Sequence, residues 1–219
     1  MRRLSLLFIV LSLAFVLTVA VGAQQDSTSW SGELGSEATV YPYFADTSWF
    51  SLYLGFAGFT VSSTTSLSWV QTGPETYASP ISVSQGFGLA YTWNWLTLGS
   101  DLYVGLFPFP PEFSSLSIYG EASLFDIPLG NSSSFSGGIG ASVTVYPSVT
   151  DDFWFDLSFQ VDGFSISSET TFSLMPFGFS QQRFDLGFAF DGFSIYAWGA
   201  LSGATLDPSG GIGFLYSFP

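Results

Sequence analysis

The sequence predicts an all-β fold: an antiparallel, up-and-down transmembrane β-barrel of about 12 strands, built from two similar six-strand halves. Three observations point there. Apolar and small or polar residues alternate with period two along most of the chain. The chain is 47% hydrophobic and 19% aromatic but only 9% charged, where a soluble domain is about 25% charged. Short turn signals such as Asp162-Gly163 and Asp191-Gly192 recur between the alternating runs.

The chain begins with "MRR", an apolar run to Ala20 and the small-residue end "VGA". A basic segment, an apolar core and small residues at a cleavage position read as a secretory signal, with cleavage expected after Ala23. Residues 24–219 then form one barrel domain, with halves at about 30–125 and 135–218. Removing the signal leaves Arg183 as the one basic residue against 17 acids, a net charge of −16. Such a chain repels nucleic acid, so no nucleic-acid partner is expected.

Alternation first appears at Trp30, where Trp30, Leu34, Ala38 and Val40 oppose Ser31, Glu33, Glu37 and Thr39. It continues with Phe50, Leu52, Leu54 and Phe56, and again with Phe87, Leu89, Tyr91 and Trp93. Strands are expected to start near Trp30, Trp49, Gly58, Ile81, Trp95, Ser115, Phe135, Phe153, Phe164, Arg183, Phe193 and Gly210. Ala57-Gly58, Asn94-Trp95, Asp162-Gly163 and Asp191-Gly192 make tight turns at one end. Longer connections at the other end carry "PYFADTS", "QTGPETYASP", "PFPPEFSS", "PSVTDD", "PFGFSQ" and "ATLDPSG". Their acids, Asp46, Glu75, Glu112, Asp151, Asp152 and Asp207, are expected in those outer loops, solvated and without a calcium-binding spacing.

An internal repeat underlies the pattern. Residues 31–68 lie on residues 136–173 without a gap, with 17 identities in 38 positions. "FGLAYTWNWLTL" and "FDLGFAFDGFSI" share a second hairpin skeleton. The repeat preserves the large apolar positions and the turns but not the acids: Glu33, Glu37, Asp156 and Glu169 align with Gly138, Ser142, Ser51 and Thr64.

The smaller face decides which way the barrel is turned. It is mostly Gly, Ser, Thr and Ala, and the chain has no lysine, so it makes a poor water-facing exterior. The large apolar face therefore meets lipid and the small face lines the lumen. By this parity Glu33, Glu37, Asp101, Glu121, Asp156, Gln160, Glu169, Arg183 and Asp185 point inward. Trp30, Trp93 and Trp95 near the tight turns, and Tyr41, Trp49, Trp69, Tyr146 and Trp154 near the other end, are expected to form two interfacial girdles. Trp198 falls mid-strand on the small-residue face and fits neither.

The chain is similar to bacterial outer-membrane β-barrel proteins of the porin-like kind. The terminal "GGIGFLYSFP" resembles the last strand recognised by the barrel-assembly machinery, with Pro219 following the usual final Phe. The resemblance implies an outer-membrane location, a lipid-bilayer environment, that machinery as a partner during biogenesis, and both mature termini on the periplasmic side.

Catalysis is not expected: without histidine there is no Ser-His pair, and without histidine or cysteine no zinc site. No cofactor, catalytic residue or metal ligand is assigned. An inward acidic lining instead lowers the energy of cations and raises that of anions. The expected function is a passive, cation-preferring channel for small cationic or neutral solutes. The alternative is a non-conducting structural or adhesive barrel with its lumen filled by side chains.

Overall fold

The computed structural model describes residues 28–70, 81–108, 110–130 and 132–219. The expected signal segment, the connection at 71–80 and Glu75 within it lie outside these residues. Twelve antiparallel strands close into one barrel in which every strand pairs with its sequence neighbours and β1 pairs with β12. They are β1 (Ser29–Tyr41), β2 (Ala45–Phe56), β3 (Phe59–Val70), β4 (Ser82–Trp93), β5 (Leu96–Phe107) and β6 (Glu112–Pro128), followed by β7 (Ser133–Tyr146), β8 (Thr150–Val161), β9 (Phe164–Leu174), β10 (Phe177–Phe190), β11 (Phe193–Ser202) and β12 (Asp207–Phe218). Closure leaves no unpaired edge, which is what a spanning sheet needs where no water can satisfy its backbone.

At the tight-turn end the strands begin within two residues of the expected positions. Ala57-Gly58, Asp162-Gly163 and Asp191-Gly192 all take positive φ at both positions (48° and 83°, 47° and 84°, 45° and 79°), the geometry that matches the twist of a hairpin. Gly163 and Gly192 are fixed by space as well as by φ. A Cβ at these positions would lie 2.5 Å from the Ala189 carbonyl oxygen and 2.7 Å from that of Ser217. The same glycines accept backbone hydrogen bonds from Ala189 N (2.8 Å) and Ser217 N (2.7 Å), so the sheet continues around the turns. In the Asn94-Trp95 turn the positive φ falls on Asn94, at 53°.

The opposite end departs from expectation. Strands β2, β6, β8, β10 and β12 begin three to six residues earlier than the sequence pattern suggests, and absorb most of the expected loops. The connections at that end are residues 42–44, 108–111, 147–149, 175–176 and 203–206, together with 71–81. Consequently Asp46, Glu112, Asp151, Asp152 and Asp207 lie in strands and not in loops. Backbone pairing across the barrel mouth explains the difference: once a neighbour is present, a ladder forms even where apolar alternation has faded. Asp46 is held there by Ser36 Oγ (2.7 Å), Ser48 Oγ (3.3 Å) and Trp69 Nε1 (3.3 Å).

The outer face is a continuous apolar surface, with Phe50, Phe155, Phe184 and Phe214 all more than a third exposed. Besides the Asp46 cluster, two polar clusters interrupt it. Thr65 Oγ1 donates to Gln85 Oε1 (2.7 Å), and Gln85 Nε2 donates to Ser63 Oγ (3.0 Å). Six strands further on, Thr170 donates to Gln182, and Gln182 Nε2 donates to Ser168 Oγ (2.8 Å). The register places both clusters on the side of Phe50 and Phe184, and each satisfies its own polar groups.

Candidate functional site: the interior of the barrel

One contact identifies the inner face. Arg183 on β10 and Glu37 on β1 have two strands between them, yet their side chains meet at 3.0 Å. Only side chains projecting into the lumen can do this. Strand alternation and register then place Glu33, Glu37, Asp101, Glu121, Asp156, Gln160, Glu169, Arg183 and Asp185 on the same face. Asp126 and Asp152 join them. The sequence pattern missed Asp126 because an irregularity between Ser123 and Phe125 resets the parity of β6. It missed Asp152 because β8 starts at Thr150. Nine carboxylates therefore share the inner face with Arg183, the one cationic side chain among the described residues.

The acids fall into two settings. Glu37 and Asp185 are neutralised: Arg183 Nη2 reaches Glu37 Oε2 (3.0 Å) and Asp185 Oδ1 (2.8 Å), and Arg183 Nε reaches both Asp185 oxygens (3.1 and 3.0 Å). The guanidinium carbon lies 4.8 Å from the centre of the Trp198 ring, and Tyr196 Oη donates to Glu37 Oε2 (3.0 Å). Trp198, which fits neither girdle, is thus the platform for the arginine. Its indole Nε1 is buried without a hydrogen-bond acceptor.

The second group has no cationic partner. Asp156 and Glu169 are directly opposed on neighbouring strands, an arrangement of like charges that costs stability. Arg183 is Glu169's partner on the other side in the register, but its guanidinium turns to Asp185 and Glu37 instead. Glu121 lies within electrostatic reach of Asp156, Glu169 and Asp101.

Aromatic rings also occupy this face. Trp49 and Trp154, expected in the outer girdle, are on the inner face, each laid across a glycine of the preceding strand, Gly35 and Gly140. A strand-end position had suggested an interfacial role; the parity shared with Ser51 and with Asp156 decides otherwise. Tyr103 lies across Gly86, Tyr119 across Gly99, Tyr196 across Gly213 and Trp198 across Gly211. Glycine lets each ring lie flat along the wall instead of standing into the lumen. Tyr53 also faces inward and donates to Glu33 Oε1 (2.8 Å). The remaining girdle residues keep to the outside or its ends: Trp30, Tyr41, Trp93, Trp95 and Tyr146 are all more than 40% exposed. Trp69, partnered with Asp46, shares the outer face of β3.

Two cavities of about 390 and 320 Å³ lie along the wall formed by β8 to β11, and Arg183 and Asp185 line both. The first also meets Asp156, Glu169 and Gln181; the second meets Ser165, Ser194 and Tyr196. The ion pair therefore sits at the boundary between them. Among the described residues no group of three or more acids is arranged to hold a metal ion.

No protein-family model matches the chain, and no curated protein matches it. Solved structures do. The KdgM porin, alone and in complex with disordered oligogalacturonate, is similar at a TM-score of 0.53 and 12% identity, over 86% of this chain and 99% of that one. An outer membrane channel from Pseudomonas putida F1 matches at a TM-score of 0.47 and 11% identity, over 88% of this chain and 96% of that one. The closed twelve-strand barrel of this chain is thus a porin-like fold.

Proposed function

We propose that the chain is an outer-membrane channel through which small solutes pass passively, with a preference for cations. The apolar outer face supports a bilayer environment, and a porin-like fold supports passage through the lumen. The observation that carries the charge preference is the interior: nine carboxylates, of which Arg183 neutralises two, lie on the face that a permeating ion would meet. Oligogalacturonate, the ligand in one KdgM structure, is a polyanion, and this lining would repel it.

A barrel of twelve strands, spaced about 4.8 Å and tilted about 40°, has a backbone radius of about 12 Å. Rings that lie flat on glycines project less into that space than rings standing off the wall, which supports conduction over a filled, purely structural barrel. Reconstitution into planar bilayers under a potassium chloride gradient tests the reading. Discrete conductance with a reversal potential toward the potassium equilibrium value is expected. A correctly folded but electrically silent protein, or one selective for chloride, would sink it.

A further inference from the structure

The protein seats one organic cation of its own. The Arg183 guanidinium rests 4.8 Å from the Trp198 ring centre, and that ring lies flat on Gly211. Carboxylates close the seat from two sides, Asp185 at 2.8 Å and Glu37 at 3.0 Å. Ring, glycine and carboxylate together make a cation-π platform with a charge anchor.

The same elements recur at two places where the arginine does not cover the ring. On β5, Tyr103 lies across Gly86, and two residues before it Asp101 lies against Gly88, where a Cβ would be 2.7 Å from Asp101 Oδ1. On β8, Trp154 lies across Gly140, and two residues after it Asp156 lies against Gly138, at 2.8 Å by the same measure. Residues two apart on a strand project from one face at about 7 Å. That span fits a cationic head on the carboxylate and an apolar body on the ring.

We propose that Asp101–Tyr103 and Trp154–Asp156 are binding seats for organic cations: ammonium or guanidinium groups carrying an aromatic or aliphatic body. The inference rests on the cation-preferring channel proposed above and names the class of solute. An alkali ion gains from the carboxylate alone. An organic cation gains from the ring as well, because its weakly hydrated surface can meet the π face.

The test uses the full chain in planar bilayers, with potassium as the carrier of current and benzylammonium chloride as the probe. Benzyl alcohol, of similar size and neutral, is the control. Benzylammonium is expected to halve the potassium current at a concentration at least about tenfold below that of benzyl alcohol, from the combined ring and charge contributions. Tyr103→Leu alone raises that half-blocking concentration about twofold and Tyr103→Leu combined with Trp154→Leu about fivefold or more, Tyr103→Phe leaves the block in place, and Asp101→Asn weakens it. Trp154→Leu provides the same test on the other wall should Tyr103→Leu fail to fold.

A potassium-selective channel that benzylammonium blocks no better than benzyl alcohol overturns the inference while leaving the channel reading intact. So does a block that survives both Leu substitutions. A silent or chloride-selective protein overturns both.

Discussion

Strands β1–β4 and β7–β10 share wall contacts and turns but carry different lumen charges. Trp49 on Gly35 recurs as Trp154 on Gly140, and the Ser63–Thr65–Gln85 cluster recurs as Ser168–Thr170–Gln182. The Ala57-Gly58 turn recurs as Asp162-Gly163 with nearly the same φ values. Charges do not recur. Glu169 stands where the first six strands have Thr64, and Thr64 there shares a 2.8 Å hydrogen bond with Ser51, which stands where the later strands have Asp156. A hydrogen-bonded hydroxyl pair in one place is a pair of carboxylates in the other. Arg183 and Asp185 on β10 belong to the later strands alone, and Glu37, their partner on β1, has Ser142 at its place on β7. The comparison separates residues that build the wall from residues that give the lumen its character.

The largest effect is expected from crossing that division. Asp156→Arg places a second guanidinium beside Glu169, and we predict about a tenfold fall in the potassium-to-chloride permeability ratio, read from reversal potentials. An unchanged ratio would remove Asp156 from the permeation path. Next come the wall contacts. Gly35→Leu and Gly140→Leu each drive a side chain into a tryptophan ring, and each is predicted to destabilise the barrel by about 2 kcal/mol in urea unfolding from lipid vesicles. Similar losses support a shared scaffold role; a loss confined to one glycine breaks the comparison. Smaller still, Gln85→Leu and Gln182→Leu remove a self-satisfied polar group from the apolar face. Each should change stability by less than about 1 kcal/mol, and by similar amounts. The least effect comes from salt. Raising potassium chloride from 0.1 to 1 M shortens the screening length from about 10 to about 3 Å and should lower cation selectivity modestly. Selectivity that ignores salt would indicate a cause other than lumen charge.

The strands and tight turns were legible because their signals are local. Asp-Gly pairs and period-two alternation depend on neighbours in the chain, and β9 and β11 begin at Phe164 and Phe193 as the pattern indicates. The far end was harder to read because ladder formation there depends on a strand supplied from elsewhere. Inner-face acids could be found by parity until a bulge intervened, as at Asp126. The rings were misjudged for a different reason. Trp49 and Trp154 sit near strand ends, where an indole usually faces the headgroups, and what places them inside is a glycine one strand away. The useful signal was their own parity: both share the small-residue face with Ser51 and Asp156, and each pairs with a glycine. The Asp191-Gly192 turn pairs β10 with β11 and brings Arg183 beside Trp198, but the side-chain conformation that lays the guanidinium on the ring is not written in the order of residues.

The Arg183–Glu37 bond also bears on the order of assembly. Its partners are 146 residues apart in the chain. In an open sheet β1 lies on one edge and β10 lies two strands in from the other, so the two side chains cannot meet. The bond forms only after β12 has zipped against β1, and opening that seam must break it along with the backbone ladder. A side chain on the inner wall thus doubles as a latch. It cannot form before the cylinder closes, and it is an obstacle to the terminal hairpin's peeling away.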